Sequence, residues 1–401
     1  MNPPAGRIHP WVFMILIIPF GVVQGYATVT LSYQLKQAGV SVERIASLVA
    51  LSILPHTFKF FWAPIVDVTL NQKKWYFIAL APCVVGVASM GLFPPTAPGL
   101  TAISVAVFLS SLASSFLGMA VESLMAHGTP EELKGRAGGW FQAGALGGTG
   151  VGGGLGLILA EKLPSPWMAS VVVGILCLLC GVGLWGAPTP RHAFASASLA
   201  QSLRATVNDI WQLARSRNGI AALVLCFIPL GASAAPMSAI AGEWQASAEI
   251  VALVTGTLGG IVSAAGCLLG GWLCDRMNRQ TAYVWFGVVQ AVAAVAMALC
   301  PRNPTMYILW ALVYALTSGL AYAAFSAFVL EAIGQGAAAS KYNALASMSN
   351  LPIYYMTNID GWAHDRWSSS GMFFTEAALA ALAAIAFTVF ARILLRPRRS
   401  C

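Results

Sequence analysis

Residues 11–34 read WVFMILIIPFGVVQGYATVTLSYQ, a stretch without a single Asp, Glu, Lys or Arg. A helix needs about 20 predominantly apolar residues to cross the hydrocarbon core of a bilayer, so this stretch predicts a transmembrane helix. Further apolar runs follow at about 44–69, 75–93, 100–126, 137–160, 166–187, 218–241, 249–274, 281–300, 305–333, 342–363 and 371–394. Numbered from the first run as segment 1, they predict an all-α membrane protein with twelve transmembrane helices.

The composition excludes a large soluble protein. Of the 401 residues, 58% are hydrophobic and 9% are charged, whereas about 25% of residues are charged in soluble domains. The 22 Lys and Arg exceed the 14 Asp and Glu. They lie in short loops and form no basic stripe, so we expect a lipid bilayer and no nucleic acid as partner. The sequence contains no P-loop motif, and we predict no cofactor and no metal.

Two acidic positions recur at nearly equal spacing along the chain. Asp67 after segment 2 has its counterpart in Asp275 after segment 8, 208 positions later. Glu122 near the end of segment 4 has its counterpart in Glu331 near the end of segment 10, 209 positions later. Two independent features at almost one offset indicate an internal duplication, with the copies related by an axis along the membrane normal.

The duplication predicts two pseudo-symmetric six-helix bundles, at 1–187 and 218–401, joined by a linker at 188–217. Sixteen Lys and Arg fall on the side of the membrane that holds both termini and the linker, five fall on the other side, and Lys59 lies within segment 2. Positively charged loops face the cytoplasm. We therefore predict a multi-pass protein of the inner (plasma) membrane with both termini in the cytoplasm.

The loop after segment 8, residues 271–279, reads GWLCDRMNR. It resembles the signature loop of the major facilitator superfamily, in which a Gly is followed by Asp-Arg and a further basic residue. Glu122, Pro130 and Arg136 resemble the acid, the proline-containing turn and the arginine that recur in that family between helices 4 and 5. The resemblance implies the major facilitator fold, in which one six-helix bundle rocks against the other.

Charges at the ends of segments 2, 4, 8 and 10 are candidates for a cytoplasmic gate. A carboxylate there closes a salt bridge between helices in one state of the transport cycle. The predicted gate residues are Asp67, Glu122 and Arg136 in the first half and Asp275, Arg276, Arg279, Glu331 and Lys341 in the second. The alternative is that these charges only set the orientation of their loops.

Residues 54–67 read LPHTFKFFWAPIVD and are similar to the helix 2 motif of AmpG-type muropeptide permeases. These permeases share a family with acetyl-CoA transporters, and related bacterial permeases take up siderophores. Residues 342–350, YNALASMSN, together with Gly361 and Trp362, resemble helix 11 of the same family. The resemblance implies transport of a polar or anionic solute such as a muropeptide, an acetyl-CoA-like compound or a siderophore.

His56, Lys59, Ala63 and Asp67 follow one another at spacings of 3, 4 and 4, so they lie on one face of a helix. A lysine inside a membrane helix is costly unless it faces protein or a wet cavity. We predict that Lys59 and His56 bind the solute or take part in proton coupling, because histidine exchanges protons near neutral pH. The alternative for Lys59 is a structural ion pair with Glu122.

Polar residues of segments 1 and 11 are further candidates for solute contacts. They are Gln24, Asn350, Tyr354, Tyr355 and Asn358, which offer hydrogen bonds and aromatic surface. The alternative is that they only make hydrogen bonds between helices. Asp360 and Glu376 are expected near the outer face of the membrane, in contact with water.

Small residues recur at every fourth position in segments 5 and 8, where they allow close backbone contact. They are Gly144, Gly148, Gly152 and Gly156 in segment 5 and Gly259, Ser263, Cys267 and Gly271 in segment 8. In the superfamily arrangement these two helices meet at the interface between the halves. The resemblance therefore places both stripes at that interface.

These observations predict a secondary active transporter, proton-coupled and working by alternating access, and not an enzyme. Its partners are a small-molecule solute, the proton and the bilayer, and we expect a monomer because one chain holds both halves. Two alternatives stay open. One is a membrane sensor that keeps the fold without transporting, and the other is a membrane-embedded enzyme built on His56, Lys59 and Glu122.

Overall fold

The computed structural model describes residues 11–96, 98–128, 134–187, 199–213, 215–232, 235–333 and 344–394. Of the predicted gate residues, Lys341 and the side chains of Asp67, Arg136 and Glu331 lie outside this part of the chain. The regular elements within it are helices. Helices α1 to α12 below take the numbers of the predicted segments.

The first half holds α1 to α6, several of them built from consecutive pieces. α1 runs through Trp11–Gly25, a π-helical turn Tyr26–Leu31 and Ser32–Gln37. α2 comprises Val42–Thr57 and Lys59–Val68, α3 is Gln72–Met90, and α4 is Leu100–Gly128. α5 comprises Lys134–Gly150, a π-helical turn Val151–Leu155 and Gly156–Lys162, and α6 comprises Pro166–Cys180 and the 3-10 turn Gly181–Trp185.

A linker helix, Leu199–Leu213, precedes the second half. α7 comprises Arg217–Leu225, Met237–Ile240 and the 3-10 turn Ala241–Trp244, and α8 comprises Ala248–Val251, a π-helical turn Ala252–Leu258 and Gly259–Cys274. α9 is Arg279–Leu299 and α10 is Pro304–Ile333. α11 and α12 share the continuous stretch Asn350–Leu394, which leaves helical geometry at Trp367 and Ser368.

The seventh helix is broken, although the sequence predicts one continuous apolar run at 218–241. The helix stops after Leu225 and resumes at Met237. Pro229 and Pro236 disfavour helix in this interval because proline removes a backbone donor and restricts the residue before it. Gly231 adopts a positive φ of 74°, which L side chains rarely adopt. Non-helical backbone at membrane depth is tolerated where it is buried in protein or lines a cavity.

Eight helical stretches among the described residues are long and apolar enough to cross a membrane, and one of them, Ala344–Arg392, contains both α11 and α12. The other three predicted transmembrane helices, α2, α3 and α7, are too short or too polar to meet this criterion. α2 and α7 are interrupted, and α3 begins with Gln72, Lys73 and Lys74.

Helix packing repeats between the halves. In the first half α1 packs against α5, α2 against α4, and α3 against α4 and α6. In the second half α7 packs against α11, α8 against α10, and α9 against α10 and α12, which are the same pairs six helices later. The predicted pair of pseudo-symmetric six-helix bundles is confirmed.

The largest contacts between the halves are α2 with α11 and α5 with α8, which are equivalent in the repeat; the short helical piece Met237–Ile240 of α7 also packs against α1 and α2. Both of these largest contacts lie at the end of the bundle where α2 begins, at Val42, and α11 ends, at Arg366; we call it the closed end. In α5 and α8 the backbones touch at two glycines, since a Cβ on Gly256 would lie 2.7 Å from the Cα of Gly154. The π-helical turns of α1, α5 and α8 meet here, and Thr30 Oγ1 donates to a carbonyl of the α5 turn.

The two small-residue stripes pack mostly within their own halves, so their predicted place at the interface is wrong. A Cβ on Gly144, Gly148 or Gly152 would lie 2.2–2.3 Å from a carbonyl oxygen of α1. In α8, Ser263 and Cys267 lie against Gly319 of α10. The interface uses Gly154 and Gly256, which lie off these stripes. α5 and α8 do meet, but a four-residue period cannot say which neighbour a helix face will touch.

Candidate functional site

A cavity of about 430 Å³ lies between the two halves. Residues of α1, α2, α4 and α5 line one wall, and residues of α7, α9, α10 and α11 line the other. Glu122, Leu225 and Ala346 belong to the parts of their helices farthest from the closed end, so the cavity extends away from it. The polar members of the lining include Gln24, His56, Lys59, Glu122, Gln142, Ser318, Ser349 and Asn350.

The break in α7 contributes to this cavity. Ile228, Leu230, Gly231 and Ala232, all in the interval between the two helical pieces, line its wall. A side chain at Gly231 would also collide with α10, because its Cβ would lie 2.8 Å from the Cβ of Ala321. The missing helical turns therefore leave room where the two bundles face each other.

Lys59 and Glu122 form an ion pair in the cavity wall. Lys59 Nζ donates to Glu122 Oε1 over 3.2 Å, and the two side chains are 21% and 31% exposed. Lys59 is the first residue after the interruption of α2 at Phe58. A cation is unfavourable at a helix N-terminus, so the position requires a nearby acid. The pair that the sequence allowed as an alternative is present, and it assigns Glu122 to the cavity.

His56 is buried one helical turn before Lys59 and also lines the cavity. Its ring stands edge-on to Phe20, with ring centroids 5.0 Å apart. Neither ring nitrogen has a hydrogen-bond partner among the described residues. Buried polar atoms without a partner carry a desolvation cost, which a ligand or an ordered water in the cavity would relieve.

Gln24 and Asn350 line the cavity but already make hydrogen bonds. Gln24 Nε2 donates to the Ser52 carbonyl over 3.1 Å, and Ser52 Oγ donates back to Gln24 Oε1 over 3.3 Å, which joins α1 to α2. Asn350 Nδ2 donates to carbonyls of its own helix. Both residues therefore present polar atoms that are already oriented.

Tyr354, Tyr355 and Asn358 do not appear in the cavity lining. The Tyr355 hydroxyl donates to the Phe227 carbonyl over 2.8 Å and so supports the broken part of α7. Asn358 Oδ1 accepts from Ser47 Oγ over 3.0 Å, and its Nδ2 donates to the Tyr354 carbonyl. In this conformation Tyr355 and Asn358 make contacts between helices, and the Tyr354 carbonyl accepts a hydrogen bond within α11.

The described gate residues of the second half lie at the end of α8 and the start of α9. Asp275 is exposed and follows the last turn of α8. Arg276 stacks on Trp272, 3.9 Å from the ring centroid, and donates to the Trp272 carbonyl. Arg279 is the first residue of α9. The gate role of these residues stays a prediction.

The closed end carries a polar network that sequence reasoning missed. Asp365 accepts from the backbone N–H groups of Val42 and Glu43, over 3.1 and 3.2 Å, and thus caps the first turn of α2 from the opposite half. His364 contacts Asp365 through one ring nitrogen and Glu243 through the other. No local pattern predicts this network, because Glu243 and His364 are 121 positions apart.

Glu243 lies in the 3-10 turn that ends α7, beyond the apolar run 218–241, and is the acidic centre of this network. Burial raises the pKa of its carboxyl, but hydrogen bonds from His364 and Ser369 and the charges of His364 and Arg302 outweigh burial and lower that pKa below its usual value. The ionised form of Glu243 is therefore the one that stabilises the closed end.

The expectation that Asp360 and Glu376 sit in water is wrong. They are 0% and 3% exposed. Gln290 Nε2 and the Tyr314 hydroxyl donate to Glu376, over 3.4 and 3.2 Å. The cause is the length of α11, which stays helical as far as Arg366 and places Asp360 more than one turn inside its end. Among the described residues no cluster of His, Cys, Asp and Glu is placed to hold a metal ion.

The family model described as "Major Facilitator Superfamily" matches residues 12–356. The chain is 25% identical over 345 residues to the anhydromuropeptide permease of Escherichia coli K12, covering 82% of this chain and 69% of that protein. An anhydromuropeptide permease of Escherichia coli O157:H7 matches equally.

Solved structures of similar fold include the nucleoside transporter NupG, with a TM-score of 0.74 at 14% identity, covering 95% of this chain and 98% of that one. The D-xylose-proton symporter gives a TM-score of 0.73 at 13% identity, with 94% and 97% covered. A bacterial homologue of the human lysosomal transporter Spinster, in an inward-facing and unoccupied conformation, gives 0.72 at 14% identity, with all of both chains covered. The family match extends over most of the chain, and the helix packing agrees with it: the protein belongs to the major facilitator superfamily and is an integral membrane transporter of that family.

Proposed function

We propose that this protein is a proton-coupled secondary transporter of the inner membrane that moves an anhydromuropeptide, or a chemically similar polar or anionic solute, through the cavity between its halves. The observation that carries the proposal is the cavity itself, which both halves line and which holds Lys59, Glu122 and His56 in its wall. Its volume of about 430 Å³ falls within the range of small-molecule sites, roughly 300–1,000 Å³.

The polar groups of the cavity suit a solute with both amide and acidic groups. His56 has two nitrogens without partners among the described residues, and Gln24 and Asn350 add amide groups. The Lys59 ammonium is paired with one carboxylate, so a second anion would share it or replace Glu122. The 25% identity to an anhydromuropeptide permease supports this class of solute.

The conformation favours access from one side. The contacts α2–α11 and α5–α8 join the halves at the closed end, and the cavity extends away from it. With both termini in the cytoplasm, as the distribution of Lys and Arg indicates, the cavity faces the cytoplasm. Reporter fusions test this orientation: a fluorescent protein after Cys401 is expected to fluoresce, and alkaline phosphatase at the same place is expected to be inactive.

Uptake into proteoliposomes tests the function. The purified protein is reconstituted, a pH gradient is imposed, and labelled anhydromuropeptide, acetyl-CoA and a siderophore are offered in parallel. We expect gradient-driven accumulation of the anhydromuropeptide, abolished in Lys59→Ala and kept in Lys162→Ala, an exposed lysine at the end of α5 outside the cavity lining.

The same assay separates the alternatives. Binding of a solute without flux would indicate that the protein acts as a sensor and does not transport. Accumulation of acetyl-CoA or the siderophore alone would keep the transporter and change its solute class. Accumulation that does not depend on the pH gradient would show that transport is not coupled to protons. The transporter is expected to work as a monomer, which light scattering of the detergent-solubilised protein measures.

A further inference from the structure

Two carboxyl groups are buried together in the second half, away from the cavity lining. Asp360 on α11 and Glu376 on α12 are both almost inaccessible to solvent. Glu376 is held by Tyr314 of α10 and Gln290 of α9. No hydrogen bond from the described part of the chain reaches either carboxyl oxygen of Asp360. Four helices thus enclose an acid pair in which one member lacks partners.

An isolated ionised carboxylate is far more expensive to bury than a neutral acid, and it takes up a proton instead. Two acids that share a dry site cannot both be ionised. Glu376 is the ionisable neighbour whose charge acts on Asp360. In this conformation the pair therefore holds at least one proton, and Asp360, which lacks hydrogen-bond donors, is the acid that carries it.

No described cation neutralises the pair. The groups that face it are Tyr314 of α10 and the uncharged Gln290 of α9. Several charged groups near this end take part in other contacts: His364 with Glu243 of α7, Glu43 of α2 with Arg366, and Arg302 with Ser370 and the Trp244 ring. Protonation remains the way to neutralise Asp360.

Asp360 is tied to the contact that holds the halves together. Its neighbour Gly361 packs against α2 so closely that a Cβ there would lie 2.4 Å from the Cβ of Ala46. One turn further along α11, Asp365 caps α2. Separation of α2 from α11 would therefore bring water to the surface of α11 that lies next to Asp360. In this conformation the same contact shuts the pair off from that end.

We propose that Asp360 and Glu376 form the proton-binding site of the transport cycle. The proposal rests on proton coupling as proposed above and adds its location. A carboxylate oxygen of Asp360 accepts a proton from water when α2 and α11 separate at the closed end. The neutral acid is buried when they close, and the proton leaves on the cavity side, toward Ser318, which lies one turn beyond Tyr314 on α10 and lines the cavity. Tyr314 and Gln290 hold the carboxyl group of Glu376 in place, and the charge of that group acts on Asp360.

Infrared spectroscopy of the purified protein in lipid nanodiscs tests the site without a solute. We expect a carbonyl-stretch band of a protonated carboxylic acid at neutral pH, lost in Asp360→Asn and shifted in Glu376→Gln and Tyr314→Phe. Glu249→Gln, an exposed acid of the same half, should leave the band unchanged. A band that persists in Asp360→Asn, or its absence from the wild type, overturns the proposal. Should Asp360→Asn fail to fold, the shifts in the other two variants decide.

Transport measurements test whether this site acts in the transport cycle. A one-unit pH gradient supports about tenfold accumulation per coupled proton. We expect Asp360→Asn to lose this accumulation while still exchanging labelled for unlabelled anhydromuropeptide, because exchange needs binding and alternating access but no proton release. Equal gradient-driven accumulation in wild type and Asp360→Asn overturns the site. A wild type that never responds to the gradient instead refutes proton coupling itself, whatever the infrared result.

Discussion

Two pairs of ionisable groups among the described residues, Lys59 with Glu122 in the first half and Asp360 with Glu376 in the second, avoid buried charge in different ways. In the first half, Lys59 and Glu122 neutralise each other across 3.2 Å and remain partly exposed in the cavity wall. In the second half, Asp360 and Glu376 have no described counter-charge and are buried. In our proposal the first pair serves a charged solute that competes for one partner, and the second pair serves a proton.

The comparison shows how duplicated halves diverge. The halves share one backbone arrangement but carry these side chains on helices that are not equivalent. Lys59 and Glu122 lie on α2 and α4, whose counterparts are α8 and α10, whereas Asp360 and Glu376 lie on α11 and α12. An ion pair keeps its charges over a wide range of pH, whereas an acid pair changes its charge by gaining or losing a proton. Variants that convert one type into the other, or remove one partner, test the distinction.

The largest effect on stability is expected from Lys59→Ala. It leaves Glu122 without its counter-ion in a partly buried wall, and we expect a loss of about 1–2 kcal/mol, below the full cost of breaking a buried pair because both groups retain solvent contact. Thermal unfolding of the purified protein measures it. Glu122→Gln in the same chain should restore most of the loss, and an unrestored double variant would show that Lys59 stabilises through packing.

Glu243→Gln is expected to come next, at about 1 kcal/mol at neutral pH, because it weakens charge-assisted hydrogen bonds that are partly exposed. The pKa of Glu243 is lower in the folded protein than its usual 4.5. The stability it supplies is therefore complete above that usual value and is lost as the pH falls through the folded value. Unfolding of wild type and variant should differ at pH 7 and converge as the pH falls below the folded pKa of Glu243. A difference independent of pH would contradict the ionised network.

Asp360→Asn is expected to change the free energy of unfolding by less than about 1 kcal/mol, because the amide has the shape of the neutral acid and needs no counter-charge. This sharpens the contrast with Lys59→Ala, although Asp360 is the more deeply buried residue. The measurement is thermal unfolding at neutral pH in the same detergent. A destabilisation larger than that of Lys59→Ala would mean that Asp360 is ionised and has a partner outside the described residues.

Glu43→Gln should have the smallest effect, about 0.5 kcal/mol or less. The pair that Glu43 makes with Arg366, 3.4 Å apart, is exposed, so water and salt screen it. Part of even this effect comes from loss of an acid in the first turn of α2. Unfolding in low and high salt measures it, and the difference from wild type should vanish in high salt. A salt-independent loss would place Glu43 in a drier contact.

Much of the candidate site could be anticipated from sequence. The face of segment 2 that carries His56 and Lys59 does line the cavity, and Gln24 and Asn350 line it as well. A helical period is enough to find such a face, because spacing alone decides which residues point the same way. Glu122 could be named as a possible partner of Lys59 because a charged lysine within the membrane is energetically costly without a nearby acid, and Glu122 is at a suitable depth.

Other features had no local signal. The break in α7 follows from Pro229, Gly231 and Pro236 only once α10 and the cavity are in place, because prolines are tolerated within membrane helices when neighbours satisfy the freed backbone groups. The burial of Asp360 depended on how far α11 continues beyond its apolar run. The small-residue stripe of α5 indicated close contact without naming α1 as the partner.

The sequence by itself determined that the protein lies in a lipid bilayer, how many helices cross it, that the chain contains a twofold repeat, and which face of α2 is charged. These features follow from hydrophobicity, period and spacing along one chain. Tertiary structure alone decided which acids are paired, buried or exposed. Glu243, His364 and Asp365 meet only because α7, α11 and α2 converge at the closed end, and Asp360 meets Glu376 only because α11 and α12 pack side by side. Contacts between distant segments depend on the three-dimensional arrangement of whole helices, which no window of sequence contains.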